Sequence, residues 1–281
     1  NTALYMGLLH LVHKPWYGKP VARWVMPVVL SAVLVVLTGV WTYGAWRIKN
    51  IDQQAVQAPR APVAVVQGNI DQSIKWDPAY QIATTNTYRA LSLSAKDAKP
   101  ALIVWPETAT PFYYLANTRL TKVIRQSIVD TGTYFLIGSP SYRRINGQAA
   151  HYNSAYLIEP DGTVSGRYDK VHLVPYGEYV PLQRWFPFLG KMVAQVGNFH
   201  AGSKGNTLKW NQRRLGVLIC YEVIFPGLAR ALVRNQTDLL VNITNDAWFG
   251  RTGAAQQHFC MAVFRAVENR RALVRAANTG I

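Results

Sequence analysis

Between Arg23 and Arg47 the chain carries no ionised side chain, and from Val28 to Val40 it is almost wholly aliphatic. Few folds accept such a stretch. At 1.5 Å per residue, the roughly 23 residues of segment 24–46 make a helix of about 34 Å, enough to cross the hydrocarbon core of a bilayer. A core helix of that length in a soluble protein would show a polar face, and this one has none. Trp24 stands at one end and Trp41, Tyr43 and Trp46 at the other, with Lys14, Lys19 and Arg23 before and Arg47 and Lys49 after, the pattern of interfacial aromatic belts. The run is too long for a signal peptide, and no small-residue cleavage pattern follows. Residues 1–49 therefore read as a membrane segment with one full transmembrane helix. The apolar residues 3–12 fit the tail of an earlier span. The short basic loop 14–23 suits the cytoplasmic side, which puts the remainder of the chain outside the cytoplasm. The chain opens on Asn1 and closes on Ile281 inside an apolar stretch, so it reads as a fragment.

Charge narrows the partners. Lys and Arg number 30 against 14 Asp and Glu, a formal +16, and such a surplus favours anionic surfaces, phospholipid headgroups among them. The basic residues are scattered, without a polybasic run, zinc-finger spacing or aromatic RNA-binding signature, so nucleic acid is not an expected partner. Two cysteines, Cys220 and Cys260, are able to pair in principle but make no disulfide framework, and six dispersed His without Cys-x-x-Cys give no metal site.

Beyond a polar, proline-containing linker at 50–61, residues 62–281 alternate strands and helices. Strands are expected at 63–66, 101–105, 133–137, 152–158, 164–168, 215–219, 238–244 and 272–277. Helices are expected at 78–94, with Asp77 as cap and Pro78 in the first turn, at 120–130, just after Phe225 with Pro226 in its first turn, and at 256–270. The fold class is α/β.

The strand at 215–219 runs into Cys220, and a thiol at the carboxyl edge of a buried strand lies where open α/β sheets place their chemistry. Glu107 and Lys170 also stand just past strands. One sheet edge is thus able to gather a thiol, a carboxylate and an ammonium: a nucleophile, a proton acceptor and a cation for the oxyanion of a tetrahedral intermediate. Each has a plainer explanation, since free Cys is mostly a small buried hydrophobe, Glu107 fits a solvated loop and Lys170 is one of many surface cations. A Cys/His pair using His172 or His258 is the competing site.

Three segments together carry a resemblance. Trp105-Pro106-Glu107, the run from Tyr168-Asp169-Lys170 to Pro175-Tyr176-Gly177-Glu178-Tyr179-Val180-Pro181, and Ile219-Cys220-Tyr221-Glu222 resemble the signatures of the nitrilase, or carbon-nitrogen hydrolase, superfamily. The Cys-Tyr-Glu triplet, the Pro-Tyr-Gly-Glu-Tyr-Val-Pro loop, the Asn245-Asp246-Ala247-Trp248-Phe249-Gly250 segment and the membrane span are similar to its apolipoprotein N-acyltransferase branch. The resemblance covers about 62–281. It implies a nitrilase-like α-β-β-α sandwich, C-terminally incomplete here, borne on transmembrane helices in the bacterial inner membrane and facing the periplasm. It also implies Glu107 as general base, Lys170 at the oxyanion and Cys220 as nucleophile, with Glu178, Tyr221 and Glu222 in support. The implied reaction moves a fatty acyl chain from a phospholipid donor through a Cys220 thioester to the amino terminus of an apolipoprotein acceptor, with no cofactor. The alternative is a membrane-tethered amidase acting on a small carbon-nitrogen substrate. A third reading is an inactive scaffold that binds anionic lipid, against which the intact triad weighs.

Segment 180–199 is unusually apolar for a loop, with Trp185, Phe186, Phe188, Leu189, Met192 and Val193. Either it folds back onto the domain, or it faces the bilayer and lets an acyl chain reach Cys220 without crossing water. Trp185, Phe186 and Phe188 are then the lipid-access residues, with Arg184 and Lys191 placed to meet phosphate.

Overall fold

The computed structural model describes residues 5, 24–179, 181, 198–250 and 252–280. Most of the apolar segment at 180–199, the lipid-access residues Trp185, Phe186 and Phe188 with it, and the residues before Trp24 apart from Tyr5 lie outside the described residues. The chain divides into two compact units, Asn1–Arg60 and Ala61–Ile281.

In the first unit helix α1 spans Val25–Gln57 and is long and apolar enough to cross a membrane. It begins where the sequence places it and ends later, because the expected linker is helical as far as Gln57. Nothing in Ile51 to Gln57 breaks a helix, and Gln and Ala favour one. The stop comes at Ala58, extended at φ −69° and ψ 144°, as the residue before a proline must be.

The second unit is an α-β-β-α sandwich. Strands β1 (Val63–Val65), β2 (Leu102–Val104), β3 (Tyr134–Ile145), β4 (Gln148–Ile158) and β5 (Val164–Asp169) form one sheet in that order, parallel from β1 to β3 and antiparallel thereafter. The second sheet, β6 (Leu208–Trp210), β7 (Arg213–Ile219), β8 (Leu239–Thr244) and β9 (Ala272–Ala277), is parallel except for β6. Helices α2 (Gln81–Ser94) and α3 (Thr118–Thr131) cover the first sheet; α4 (Pro226–Arg234) and α5 (Ala254–Asn269) cover the second.

This layering explains why β2 reads as an unbroken apolar run. Leu102 and Val104 enter the core between the sheets, packing with Val217, Leu218 and Val241, while Ile103 and Trp105 join Tyr88, Ile124 and Ile128 beneath the outer helices. With both faces covered there is no polar alternation to see.

Local chemistry sets the ends of the helices. Asp77 accepts from the Ala79 N–H and opens a 3-10 turn, Pro78–Tyr80, ahead of α2, so the helix expected from residue 78 starts three residues later. Asn117 caps α3 through the Leu120 N–H, and Gly132, at φ 68°, ends it. Strands β3 and β4 run beyond the expected 133–137 and 152–158 and form a hairpin. It is closed by Asn146 and Gly147, both at positive φ, the pair a two-residue type I′ turn requires. Strand β6, three residues long, was not foreseen.

Candidate active site

Glu107, Lys170 and Cys220 come together in the second unit. Glu107 lies in the turn after β2, Lys170 follows β5 directly and Cys220 follows β7 directly. The two sheets lie face to face, so the first two residues come from one sheet and the thiol from the other.

Glu107 is buried and bonded on both carboxylate oxygens. Its Oε1 accepts from Asn153 Nδ2 at 2.8 Å and from Lys170 Nζ at 3.5 Å, and its Oε2 accepts from the Asn245 N–H at 3.1 Å. The turn that presents it lies hard against β3. A Cβ on Gly138 would stand 2.3 Å from the Pro106 carbonyl oxygen, so only glycine lets the two backbones approach this closely.

Lys170 is 1% exposed, and its ammonium sits 2.9 Å from the Glu178 carboxylate as well as 3.5 Å from Glu107. Burial disfavours its charge, but Glu107, Cys220 and Glu178 outweigh burial and hold the amine above its ordinary pKa. Its three N–H donors face three carboxylate oxygens, both of Glu178 at 2.9 Å and Oε1 of Glu107 at 3.5 Å. Glu178 is held in a tight turn: its second oxygen accepts from the Val174 N–H at 2.9 Å, and Asn153 reaches it at 2.8 Å. Asn153 therefore bridges the two carboxylates with one amide nitrogen.

Cys220 sits at φ 51°, a left-handed conformation that a side chain adopts only under constraint, at the start of the 3-10 turn Cys220–Ile224. Glu222 supplies the constraint. Fully buried, it accepts from the Ile219, Val171 and His172 N–H groups at 2.8, 2.7 and 3.0 Å, and from the Tyr168 hydroxyl. It thereby ties the end of β7 to the segment that follows Lys170. Burial pushes its carboxyl above the usual range against those backbone donors. The Cys220 thiol is pushed up to about 12 by burial and then by the charge of Glu107, with Lys170 and a hydrogen bond to Thr244 pulling the other way. At rest it is a neutral thiol.

The competing Cys/His pairing does not form. His258 is buried behind Cys220, where Nε2 meets the Cys220 carbonyl oxygen at 3.1 Å and Nδ1 meets Asp246 at 3.1 Å. The His172 ring packs on Phe225 at 3.8 Å. Tyr221, expected in support, points outward and is tilted edge-on to Phe225, while Glu222 lies beneath the site as an anchor. Both cysteines are free thiols, Cys260 exposed. Among the described residues no cluster fit for a metal ion is found.

The sequence did not single out Asn153, the Asn245 N–H or Lys75. Lys75 is buried with its Nζ on the Glu107 carbonyl oxygen at 3.1 Å. Asn245 is held by Gln72 at 2.7 Å and Asn278 at 3.0 Å, which gives the segment from Asn245 to Gly250 a task beside the carboxylate. A cleft of about 750 Å³ is lined by Trp76, Pro111, Phe112, Tyr113, Arg119 and Phe199 among others, and by none of Glu107, Lys170 and Cys220. Trp76 follows Lys75, and the Phe199 N–H donates to the Glu178 carbonyl oxygen.

Residues 62–281 match the family described as carbon-nitrogen hydrolase. The chain belongs to that family. Among individual carbon-nitrogen hydrolase relatives, an apolipoprotein N-acyltransferase of Geobacter metallireducens is 47% identical over 94% of this chain and 50% of its own length. One of Bdellovibrio bacteriovorus is 34% identical over 90% and 48%. The chain thus spans about half the length of these curated relatives. Among solved structures, the amidase of Nesterenkonia sp. AN1 superposes with a TM-score of 0.55 at 20% identity, over 78% of each chain. That likeness establishes the shared nitrilase-superfamily fold of the carbon-nitrogen hydrolase unit.

Proposed function

We propose that this chain carries the catalytic unit of an apolipoprotein N-acyltransferase, with Cys220 as nucleophile, Glu107 as general base and acid, and Lys170 as the oxyanion cation. The observation that carries the reading is the meeting of these three groups at the sheet ends, in a chain whose other unit is a helix fit to cross a membrane. The relatives, of whose length this chain spans about half, bear that name and support the choice of acyl transfer over amide hydrolysis.

A thiol pushed up to about 12 does not stand ready as thiolate, so its proton must leave as the bond forms. Glu107 takes that proton while Sγ attacks the ester carbonyl of a phospholipid. The Lys170 ammonium holds the oxyanion. As the tetrahedral centre collapses, the C–O bond breaks and Glu107 protonates the departing lysophospholipid oxygen, leaving a thioester. In the second half a neutral amino terminus attacks that thioester, Glu107 accepts the amine proton, and the proton returns to Cys220 as the C–S bond breaks. Asn153 and the Asn245 N–H keep Glu107 pointed at both reacting atoms, and Glu178 keeps Lys170 charged.

The acyl donor is a phospholipid of the bacterial inner membrane, and the basic loop at 14–23 favours a domain facing the periplasm. Segment 180–199, with Trp185, Phe186 and Phe188, is the proposed route for the acyl chain. Exposing a whole chain to water would cost on the order of 10 kcal/mol at about 0.8 kcal/mol per methylene.

Mass spectrometry of the full-length protein purified with phospholipid tests this reading. A fatty-acyl adduct on Cys220 is expected, together with its loss in Cys220→Ser. Full lipoprotein acylation by Cys220→Ser would remove Cys220 from the mechanism, and a wild-type protein without fatty-acyl mass but active on small amides would favour the amidase.

A further inference from the structure

Among the described residues, Lys75 is a buried cation beside Glu107 that the mechanism above leaves without a task. It is 2% exposed, and its single described hydrogen bond runs from Nζ to the Glu107 main-chain oxygen at 3.1 Å. No carboxylate lies within ion-pair distance among the described residues. A buried ammonium with one of three donors filled is expensive to keep, and structures retain such groups where a charge is needed. Lys170 illustrates the difference, since its charge is already shared between Glu178 and Glu107.

The charged and titratable groups facing Lys75 come from two elements: Glu107 from the turn after β2, and Cys220 from the end of β7. Behind Glu107 stand Lys170 and Glu178, from the segment after β5. At rest Glu107 and Glu178 are balanced by Lys170 and Lys75. Remove Lys75, and the site has one excess negative charge before the thiol has begun to ionise.

We propose that Lys75 is a positioning residue of the site, a second cation that offsets the charge developing on Cys220 and pins the main chain of Glu107. The inference rests on Cys220 as nucleophile. Burial lowers the Lys75 amine to about 8, with Glu107 and then Cys220 opposing the drop. A lysine whose pKa is lowered keeps its charge below that value and loses it above. Site acylation should therefore weaken as pH rises through about 8.

The test is acylation of Cys220 by a short-chain p-nitrophenyl ester, in which the S–C bond forms as p-nitrophenolate leaves and the thiol proton passes to Glu107. Rates are followed from pH 6 to 10 by intact mass with site mapping, on the full-length protein. Lys75→Met is expected to slow Cys220 acylation about tenfold to a hundredfold, the reach of one nearby charge on a thiol. Lys75→Arg stays charged throughout and is expected to remain within about threefold of wild type and to abolish the decline above pH 8. Wild-type rate and pH profile in Lys75→Met, or equal slowing in Lys75→Arg and Lys75→Met, would overturn the proposal. Should Lys75→Met not fold, the two remaining profiles decide: parallel curves for wild type and Lys75→Arg overturn it as well. Failure of the nucleophile reading looks different, because Cys220→Ser would then acylate as fast as wild type.

Discussion

The two sheets hold their shares of the site by opposite means. On the first, the charged groups are tied to one another through side chains: Asn153 joins Glu107 to Glu178, and Lys170 lies between the same two carboxylates. On the second, Cys220 is a neutral thiol whose place is set through its main chain. Cys220 takes its left-handed φ because Glu222 gathers three N–H groups beneath it and His258 meets its carbonyl oxygen. The acid-base half should thus yield to side-chain substitution with the fold intact. The nucleophile half should yield when the fold is loosened.

Glu107→Gln would break the comparison most severely, because the amide neither accepts the thiol proton nor returns it. Adduct formation should fall at least about a hundredfold, the lower end for loss of a general base, with the melting temperature little changed. A variant with wild-type turnover would take Glu107 out of the reaction. Next comes Asn153→Leu, which deprives both carboxylates of a 2.8 Å donor. Hydrogen bonds to charged groups are worth about 1.5–3 kcal/mol, so acylation should slow roughly tenfold to a hundredfold. Unchanged rates would mean Lys170 alone orders the pair. The smallest effect on rate, a few-fold, is expected from Glu222→Gln, yet that variant should lose about 1–3 kcal/mol of stability as a buried N–H loses its acceptor. Thermal unfolding in detergent checks it. A large rate loss with wild-type stability would erase the contrast between the two sheets.

Glu107 and Cys220 were legible because each follows an apolar run, 101–105 and 215–219, and Lys170 because it stands just past the expected strand 164–168. Strand ends are local, and periodicity reports them. Lys75 and Asn153 were not legible, since nothing near Lys75 in sequence distinguishes it from a surface lysine, and Asn153 sits inside a strand whose neighbours give no hint of two carboxylates opposite. Strand β6 escaped because Leu-Lys-Trp is too short for alternation to register. The far halves of β3 and β4, with Arg143, Arg144 and Gln148, are exposed and polar, so apolar pattern marks only their buried ends, although Asn146-Gly147 does signal the turn. Helix α1 outran its expected end because polarity marks where lipid contact stops and a helix stops only at a breaker.

The protonated resting state of Cys220 carries a redox consequence. Oxidants and stray disulfides attack thiolate far faster than thiol, and a sulfur kept protonated at neutral pH presents them with little to attack. On the proposed mechanism, the same burial that makes Cys220 depend on Glu107 for its activation therefore also preserves it between turnovers.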